Sequence, residues 1–144
     1  MKIITYTDGG SRGNPGPAAS GIHITDEQGK KLTSFGTFLG TQTNNFAEYT
    51  AIIEALSWIL QNQESIGVIS EIECRMDSQL ACRQLTGVYK VKHPQIKPLF
   101  AQVQLLQQSL VVPFYFIHIP REENTLADAQ VNAALDKAIS SSIQ

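Results

Sequence analysis

The chain has 144 residues, a formal charge of −2, and is 42% hydrophobic and 17% charged. This is the balance of an ordinary globular protein with one hydrophobic core, and it predicts one domain over residues 1–144. It excludes a protein that grips nucleic acid through bulk positive charge, so any such partner must be held by a local patch.

The two cysteines, Cys74 and Cys82, have no metal-ligand spacing and are expected to be reduced thiols of a cytoplasmic protein. No signal peptide precedes the first strand-like run, and no apolar stretch is long enough to cross a bilayer. An intracellular protein without a membrane partner is expected.

Lys2 to Asp8 is rich in Ile, Thr and Tyr and predicts a strand; Ala18 to Thr25 and Lys31 to Leu39 predict two more. Asp26-Glu27-Gln28-Gly29 reads as a hairpin turn, so these strands are expected to pair antiparallel. From Asn45 the apolar positions take helical spacing, with Ile52, Ala55, Leu56, Ile59 and Leu60 on one stripe. Ile69 to Met76 predicts a short strand, and Ser78 to Leu85 a short helix closed by Gly87. A longer helix starting near Pro94 carries Leu99, Val103, Leu106 and Leu110, and Phe114 to Ile119 predicts the last strand. Thr125 to Ile139 predicts a final helix with Asn124 as its N-cap, and the tail from about residue 140 is expected to fray. The order βββαβααβα predicts an α/β fold. Its five-stranded mixed sheet has three antiparallel strands, then two parallel ones reached by right-handed crossovers, with helices on its faces. Ligands of open α/β sheets collect at the carboxyl ends of strands.

Four carboxylates stand at such places. Asp8 closes the first strand ahead of a loop, Gly9 to Pro17, whose glycines allow a ligand close to the backbone; a tight connection is the plain alternative. Glu48 falls on the apolar stripe, with Ile52 at i+4. It is therefore paired or metal-bound, or it folds back on Asn45 in a capping box. Asp77 closes the fourth strand, where a helix cap would also use Asp. Asp128 is read with Val131 and Leu135 onto the buried face of the last helix, with a helix-dipole contact as the alternative. Taken together, four acids at two strand ends and two first helical turns repel one another unless divalent cations hold them. A pair of such ions activates a water and stabilises the leaving oxygen of a phosphodiester.

Four blocks, Thr7 to Ala18, Thr43 to Tyr49, Asp77 to Leu80 and Arg121 to Asp128, resemble in order and spacing those of the type 1 ribonucleases H. The resemblance covers nearly the whole chain. It implies the ribonuclease H-like fold and an endonuclease that hydrolyses the RNA strand of RNA–DNA hybrids, leaving 5′-phosphate and 3′-hydroxyl ends. It also implies two Mg²⁺ ions, with Mn²⁺ as a possible substitute, held by Asp8, Glu48, Asp77 and Asp128. Asn14, Asn45 and Gln79 match the family's contacts to the minor groove of the hybrid, and Asn44 is placed with them. Thr43 matches part of the pocket for a DNA-strand phosphate, and the amides around Gly9 and Gly10 are expected to approach the RNA. His118 stands six residues before Asn124, where many members place a histidine that helps protons or product leave; otherwise it finishes a sheet face with Phe114 and Phe116.

Many bacterial members insert a basic protrusion after the short central helix, and some carry an N-terminal hybrid-binding module. Here Gly87 to Pro94 leads directly into the next helix, so a compact, monomeric member is expected. Lys90, Lys92, His93 and Lys97 form a basic cluster that substitutes in part, or merely solvates a helix entrance. Three other readings stand beside this one: a broader nuclease that also cuts double-stranded RNA, a non-catalytic hybrid-binding module, and a piece of a reverse transcriptase or transposase. The complete set of carboxylates argues against a pure binder.

Overall fold

A computed structural model describes residues 1–143, with side chains through 141. The first hairpin follows from its own turn chemistry. The Asp26 carboxylate accepts the N–H groups of Gln28 and Lys30, each at 2.9 Å, and Gly29 takes φ +84 to close the turn. The strands are β1 (Lys2–Ser11), β2 (Gly16–Asp26), β3 (Lys31–Gln42), β4 (Glu71–Met76) and β5 (Phe114–His118). They form one sheet in the order β3-β2-β1-β4-β5. β1, β2 and β3 pair antiparallel, while β4 runs parallel to β1 and β5 parallel to β4. The helices are α1 (Asn44–Gln61), α2 (Gln63–Ile66), α3 (Gln79–Leu85), α4 (Lys97–Leu110) and α5 (Thr125–Ile143), with a 3₁₀ turn at Arg121–Glu123.

α1 and α4 cover one face of the sheet. There Ile3, Ile22, Ile24, Ile72 and Met76 meet Ile52, Leu56, Ile59 and Val103, all of them fully buried or nearly so. Each such side chain contributes roughly 1.5–3 kcal/mol, so this layer is the main support of the fold. Cys74 and Cys82 are free thiols within it, and burial pushes the Cys74 thiol up to about 12, out of reach of ordinary thiolate chemistry. On the other face α5 lies over β2 and β3, with a small cluster of Ala19, Val131 and Leu135. Among the described residues no helix is long and apolar enough to cross a membrane.

Several boundaries differ from the sequence expectation. β1 does not end at Asp8: its ladder with β2 continues to Ser11↔Ala18, because Gly9 and Gly10 stay extended against β2. Only the pairing with β4 stops earlier, at Thr7↔Met76. β4 begins at Glu71 rather than Ile69, since Ser70 donates to the Met1 carbonyl before the ladder starts. α4 begins at Lys97 rather than near Pro94, after a turn in which His93 accepts the N–H groups of Ile96 and Lys97. α5 runs through Ser140 to Ile143 instead of stopping at Ile139; Gln144 lies outside the described residues.

Close backbone contact sets the helices over the sheet. A methyl group added at Gly21 would sit 2.1 Å from the Ala127 carbonyl oxygen, and one at Gly36 would sit 2.3 Å from that of Gln130. Gly36 is the cross-strand partner of Gly21, whose other partner is Asp8. Directly opposed residues share a face, so Asp8 is aimed toward the side that carries Ala127 and Asp128. On the opposite face a methyl at Gly9 would lie 2.2 Å from Ala47 C and Glu48 N, so α1 rests on β1 one residue beyond Asp8.

Gly21→Ala and Gly36→Ala are each expected to cost ~2–3 kcal/mol, because backbone carbonyls cannot rotate away from the new methyl. Gly29→Ala, which meets nothing within 4 Å, is expected to cost only the ~1 kcal/mol of its left-handed backbone. Urea unfolding of the three variants checks this; equal losses would rule out close approach as the cause.

Candidate active site

The site lies where β1 and β4 part. Asp8 and Asp77 are the residues after the last β1–β4 pair, Thr7↔Met76; beyond it β1 stays with β2, while the segment after β4 bends away into α3. Glu48 reaches the gap from α1. One carboxylate oxygen from each of Asp8, Glu48 and Asp77 lies within 4.8 Å of the others. Asp77 sits in the bend after β4, so the strand alternation that would group it with Glu73 and Arg75 no longer binds it.

Asp128 corrects an expectation. It is exposed, not buried, although Val131 and Leu135 on the same stripe are buried as their spacing predicts. At the first turn of α5 that stripe faces a cleft rather than the sheet. The cleft, about 430 Å³, is lined by Asp8, Gly9, Asn44, Glu48, Arg121 and Asp128, among others. Asn132, one turn later, donates from Nδ2 to the Asp128 carbonyl at 3.1 Å and to Oδ2 at 3.3 Å, which steadies the acid at the rim.

Helix capping releases two of the acids from their plain structural explanations. α1 is capped by Thr43, whose hydroxyl oxygen accepts the Phe46 N–H at 3.2 Å; Asn45 is not the cap. Glu48 therefore falls beyond the first turn, out of reach of a capping box. α3 is capped by Ser78, whose hydroxyl accepts the Ala81 N–H at 3.2 Å, so Asp77 is not needed as a cap. Asn124 precedes α5, but its side-chain oxygen accepts no hydrogen bond within the protein, and its Nδ2 donates instead to the Thr7 carbonyl at 2.9 Å.

Charge is the dominant property of the gap. Asp8, 8% exposed, is pushed up to about 8, chiefly because burial strips its carboxyl of water, with the charges of Asp77 and Asp128 adding to the shift. The Gly9 N–H, 3.0 Å from Asp8 Oδ1, pulls the other way. Part of Glu48 meets solvent, yet burial of its carboxyl raises it well above the carboxylate range. Asp8 and Asp77 add to that shift, and Arg121 in the 3₁₀ turn opposes it. Among the described residues the ion pairs are Lys2–Glu73, Arg75–Glu73 and Arg12–Asp136, so none joins a cation to these four acids. A tight set of uncompensated carboxylate oxygens fits a hard divalent cation.

Of the other predicted residues, Gly9, Gly10 and Asn44 line this cleft. The Asn44 side-chain oxygen accepts both the N–H and the hydroxyl of Ser11, each at 2.9 Å, and Asn14 Oδ1 accepts the Asn44 N–H at 3.0 Å. The glycine loop and the start of α1 are thereby one unit. Gln79 opens α3 and is exposed, and Asn45 lies in the first turn of α1. His118 ends β5, exposed, in register with Met76 and so beside the strand end that leads to Asp77; it does not line the cleft. Phe114 and Phe116 turn into the core instead. Arg121, Asn132 and the Gly21–Gly36 pair were not singled out from the sequence; only Arg121 had a signal there, inside the last matching block.

A family profile described as "Reverse transcriptase-like" matches residues 6–134. Ribonuclease HI of Halobacterium salinarum is 38% identical over 95% of this chain and 66% of its own length. Ribonuclease H of Ruthia magnifica is 31% identical over 94% of this chain and 97% of its own length. The crystal structure of LC11-RNase H1 in complex with an RNA/DNA hybrid superposes with a TM-score of 0.90 and 49% identity, covering 95% of this chain and 99% of that one. The chain belongs to the type 1 ribonuclease H family. It is the compact form, because residues 86–96 join α3 to α4 without a further helix. Bifunctional protein Rv2228c of Mycobacterium tuberculosis, 38% identical, is longer, and this chain spans 37% of its length.

Asp8 and Glu48 hold a proton more tightly in the folded protein than in the unfolded chain. Their contribution to stability is thus complete below about pH 4 and is lost as pH rises through about 8 for Asp8. Without divalent ions, this loss is expected as a falling Tm between about pH 5 and 8. Asp8→Asn is expected to raise the metal-free Tm near pH 8 by roughly 3–6 °C, and Mg²⁺ to raise wild-type Tm more at pH 8 than at pH 5. Differential scanning calorimetry in EDTA and in Mg²⁺ checks both, and a flat pH profile would contradict the charge argument.

Proposed function

We propose that this chain is an endoribonuclease that hydrolyses the RNA strand of an RNA–DNA hybrid, leaving 5′-phosphate and 3′-hydroxyl ends. The observation that carries the reading is the convergence of Asp8, Glu48 and Asp77 within 4.8 Å, with Asp128 at the rim of the same cleft. The likeness to LC11-RNase H1, solved with an RNA/DNA hybrid, supports the choice of substrate. In this reading residues 1–144 act as one catalytic domain, monomeric and cytoplasmic.

Asp8, Glu48, Asp77 and Asp128 are the residues that hold two Mg²⁺ ions, with Mn²⁺ as a substitute. When bound, these ions supply Lewis acidity toward a phosphate oxygen and lower the pKa of water. The chain's own residues bind and orient the duplex. The oxygens of Asn14 and Asn44 are committed to hydrogen bonds within the protein, which leaves their amide N–H groups as donors. Minor-groove base edges and 2′-hydroxyls offer the matching acceptors, and Asn45 and Gln79 extend the row. The Thr43 hydroxyl accepts from Phe46 and keeps its own proton for a DNA-strand phosphate. Gly9 and Gly10 line the cleft, where in this reading their backbone meets the RNA, and His118, exposed beside the strand end, takes the proton-relay role.

A pure hybrid-binding module would gain nothing from crowding Asp8 and Glu48 into a site that raises the pKa of both. The test is cleavage of a labelled hybrid with Mg²⁺, beside EDTA and Asp8→Asn controls, with double-stranded RNA as a second substrate. Hybrid cleavage that falls to background in both controls is expected. A folded protein that binds the hybrid and leaves it intact with Mg²⁺ and Mn²⁺ would favour the binding module; cleavage of double-stranded RNA would widen the substrate class.

Lys90, Lys92, His93 and Lys97 are exposed and carry no ion pair among the described residues. In this reading they meet backbone phosphates. Lys92→Ala is expected to weaken hybrid binding and to reduce the slope of log K against log salt by about one. Fluorescence anisotropy across a salt series measures it; an unchanged slope would return the cluster to a solvated helix entrance.

A further inference from the structure

Asn124 stands between the 3₁₀ turn and α5 and is 1% exposed. Its Nδ2 donates to the Thr7 carbonyl at 2.9 Å, across 117 residues of sequence. Its own carbonyl accepts the Asp128 N–H at 3.1 Å, and its N–H donates to the Arg121 carbonyl at 3.0 Å. One residue therefore ties the position before Asp8 to the helical turn that carries Asp128. Because Thr7 pairs with Met76, the tie also reaches the strand end that precedes Asp77.

Asp128 needs such a tie more than the other acids do. Asp8, Glu48 and Asp77 are carried by β1, α1 and the end of β4, which share the large core; Asp128 is exposed, outside the close trio, on a helix seated over a small one. Among the described residues, the side-chain hydrogen bonds from that helical segment to β1 and the residue after it are Asn124–Thr7, which is buried, and Arg12–Asp136, which is exposed and screened by water; the Asp8 and Asp128 carboxyls also meet, but as like charges they push apart rather than fasten. Helix capping alone does not account for Asn124, since its side-chain oxygen makes no bond to the helix N–H groups.

We infer that Asn124 is a positioning residue: its bond to Thr7 sets where Asp128 stands relative to Asp8, and thereby the divalent-cation affinity of the Asp128 side of the cluster. This rests on the reading of the four acids as cation ligands. The experiment is Mn²⁺ titration calorimetry, without nucleic acid, on wild type, Asn124→Ala, Asn124→Ser and Asp128→Ala, with thermal melts and hybrid kinetics alongside. Serine is favoured at helix starts, so Asn124→Ser removes the Thr7 bond while sparing the start of α5.

Both Asn124 variants are expected to weaken Mn²⁺ binding roughly tenfold, toward the Asp128→Ala isotherm, and to lower kcat with KM nearly unchanged. The Asn124→Ala/Asp128→Ala double variant is expected to bind no more weakly than Asp128→Ala alone. Wild-type isotherms from Asn124 variants that merely melt earlier would overturn the proposal, as would failure of both to fold, because the bond would then serve the fold and not the site. If Asp128→Ala itself binds Mn²⁺ like wild type, the ligand reading of Asp128 falls and this inference with it. Weakened Asp128→Ala beside unchanged Asn124 variants would sink the inference alone.

Discussion

Helix backbone meets strand backbone at Gly9, Gly21 and Gly36, and the placement of the acids on α1 and α5 over the sheet depends on it. Gly9 admits the first turns of α1, while Gly21 and its partner Gly36 admit α5. With side chains at these points the helices would stand off by the thickness of a methyl group or more. The carboxylates on α1 and α5 would then stand farther from those on the sheet. The close seating also explains the asymmetry of the two faces. α1 and α4 bury large aliphatic residues and stabilise the fold, whereas α5 trades side-chain burial for proximity and keeps only a small apolar cluster.

That proximity has an electrostatic cost. Burial and mutual repulsion raise Asp8 and Glu48 together, and Arg121 and the Gly9 N–H only partly oppose this. Because a lone buried charge is unfavourable, a protein without a use for the cluster would be more stable with neutral residues there. The large aliphatic layer on the α1 side tolerates this local instability. The site is held from several directions at once: the β1–β4 ladder fixes Asp8 against Asp77, α1 supplies Glu48, and hydrogen bonds from Asn124 and Asn132 steady Asp128.

The polar rim follows the same economy. Asn14, Asn44 and Thr43 each use an oxygen to hold the glycine loop or cap α1, and each retains a proton to donate outward. Rigid donors of this kind suit a duplex whose minor groove presents acceptors and 2′-hydroxyls. With a net charge of −2, the proposed hybrid would be attracted by local lysines alone, and its binding would fall under the control of salt.

Much of this was legible in the sequence. Apart from the short α2, the element order follows from periodicity, and the Asp26–Gly29 hairpin with its antiparallel pairing follows from turn chemistry acting over a few residues. The four acids stood out because the sequence pattern alone reads them at strand ends and in first helical turns, within blocks that match a known family, although β1 runs on past Asp8 and Glu48 falls beyond the first turn of α1. Tertiary structure alone decided the rest. Thr43 rather than Asn45 caps α1, Asp77 escapes its strand's alternation, and Asp128 faces a cleft instead of the sheet. Gly21 and Gly36 look like weak points in their strands until α5 is laid across them. Asn124 looks like a helix cap until its amide meets Thr7 from 117 residues away. Local sequence encodes what a segment prefers by itself; which atoms of distant segments meet, and what that contact demands of each residue, is set only when the helices close on the sheet.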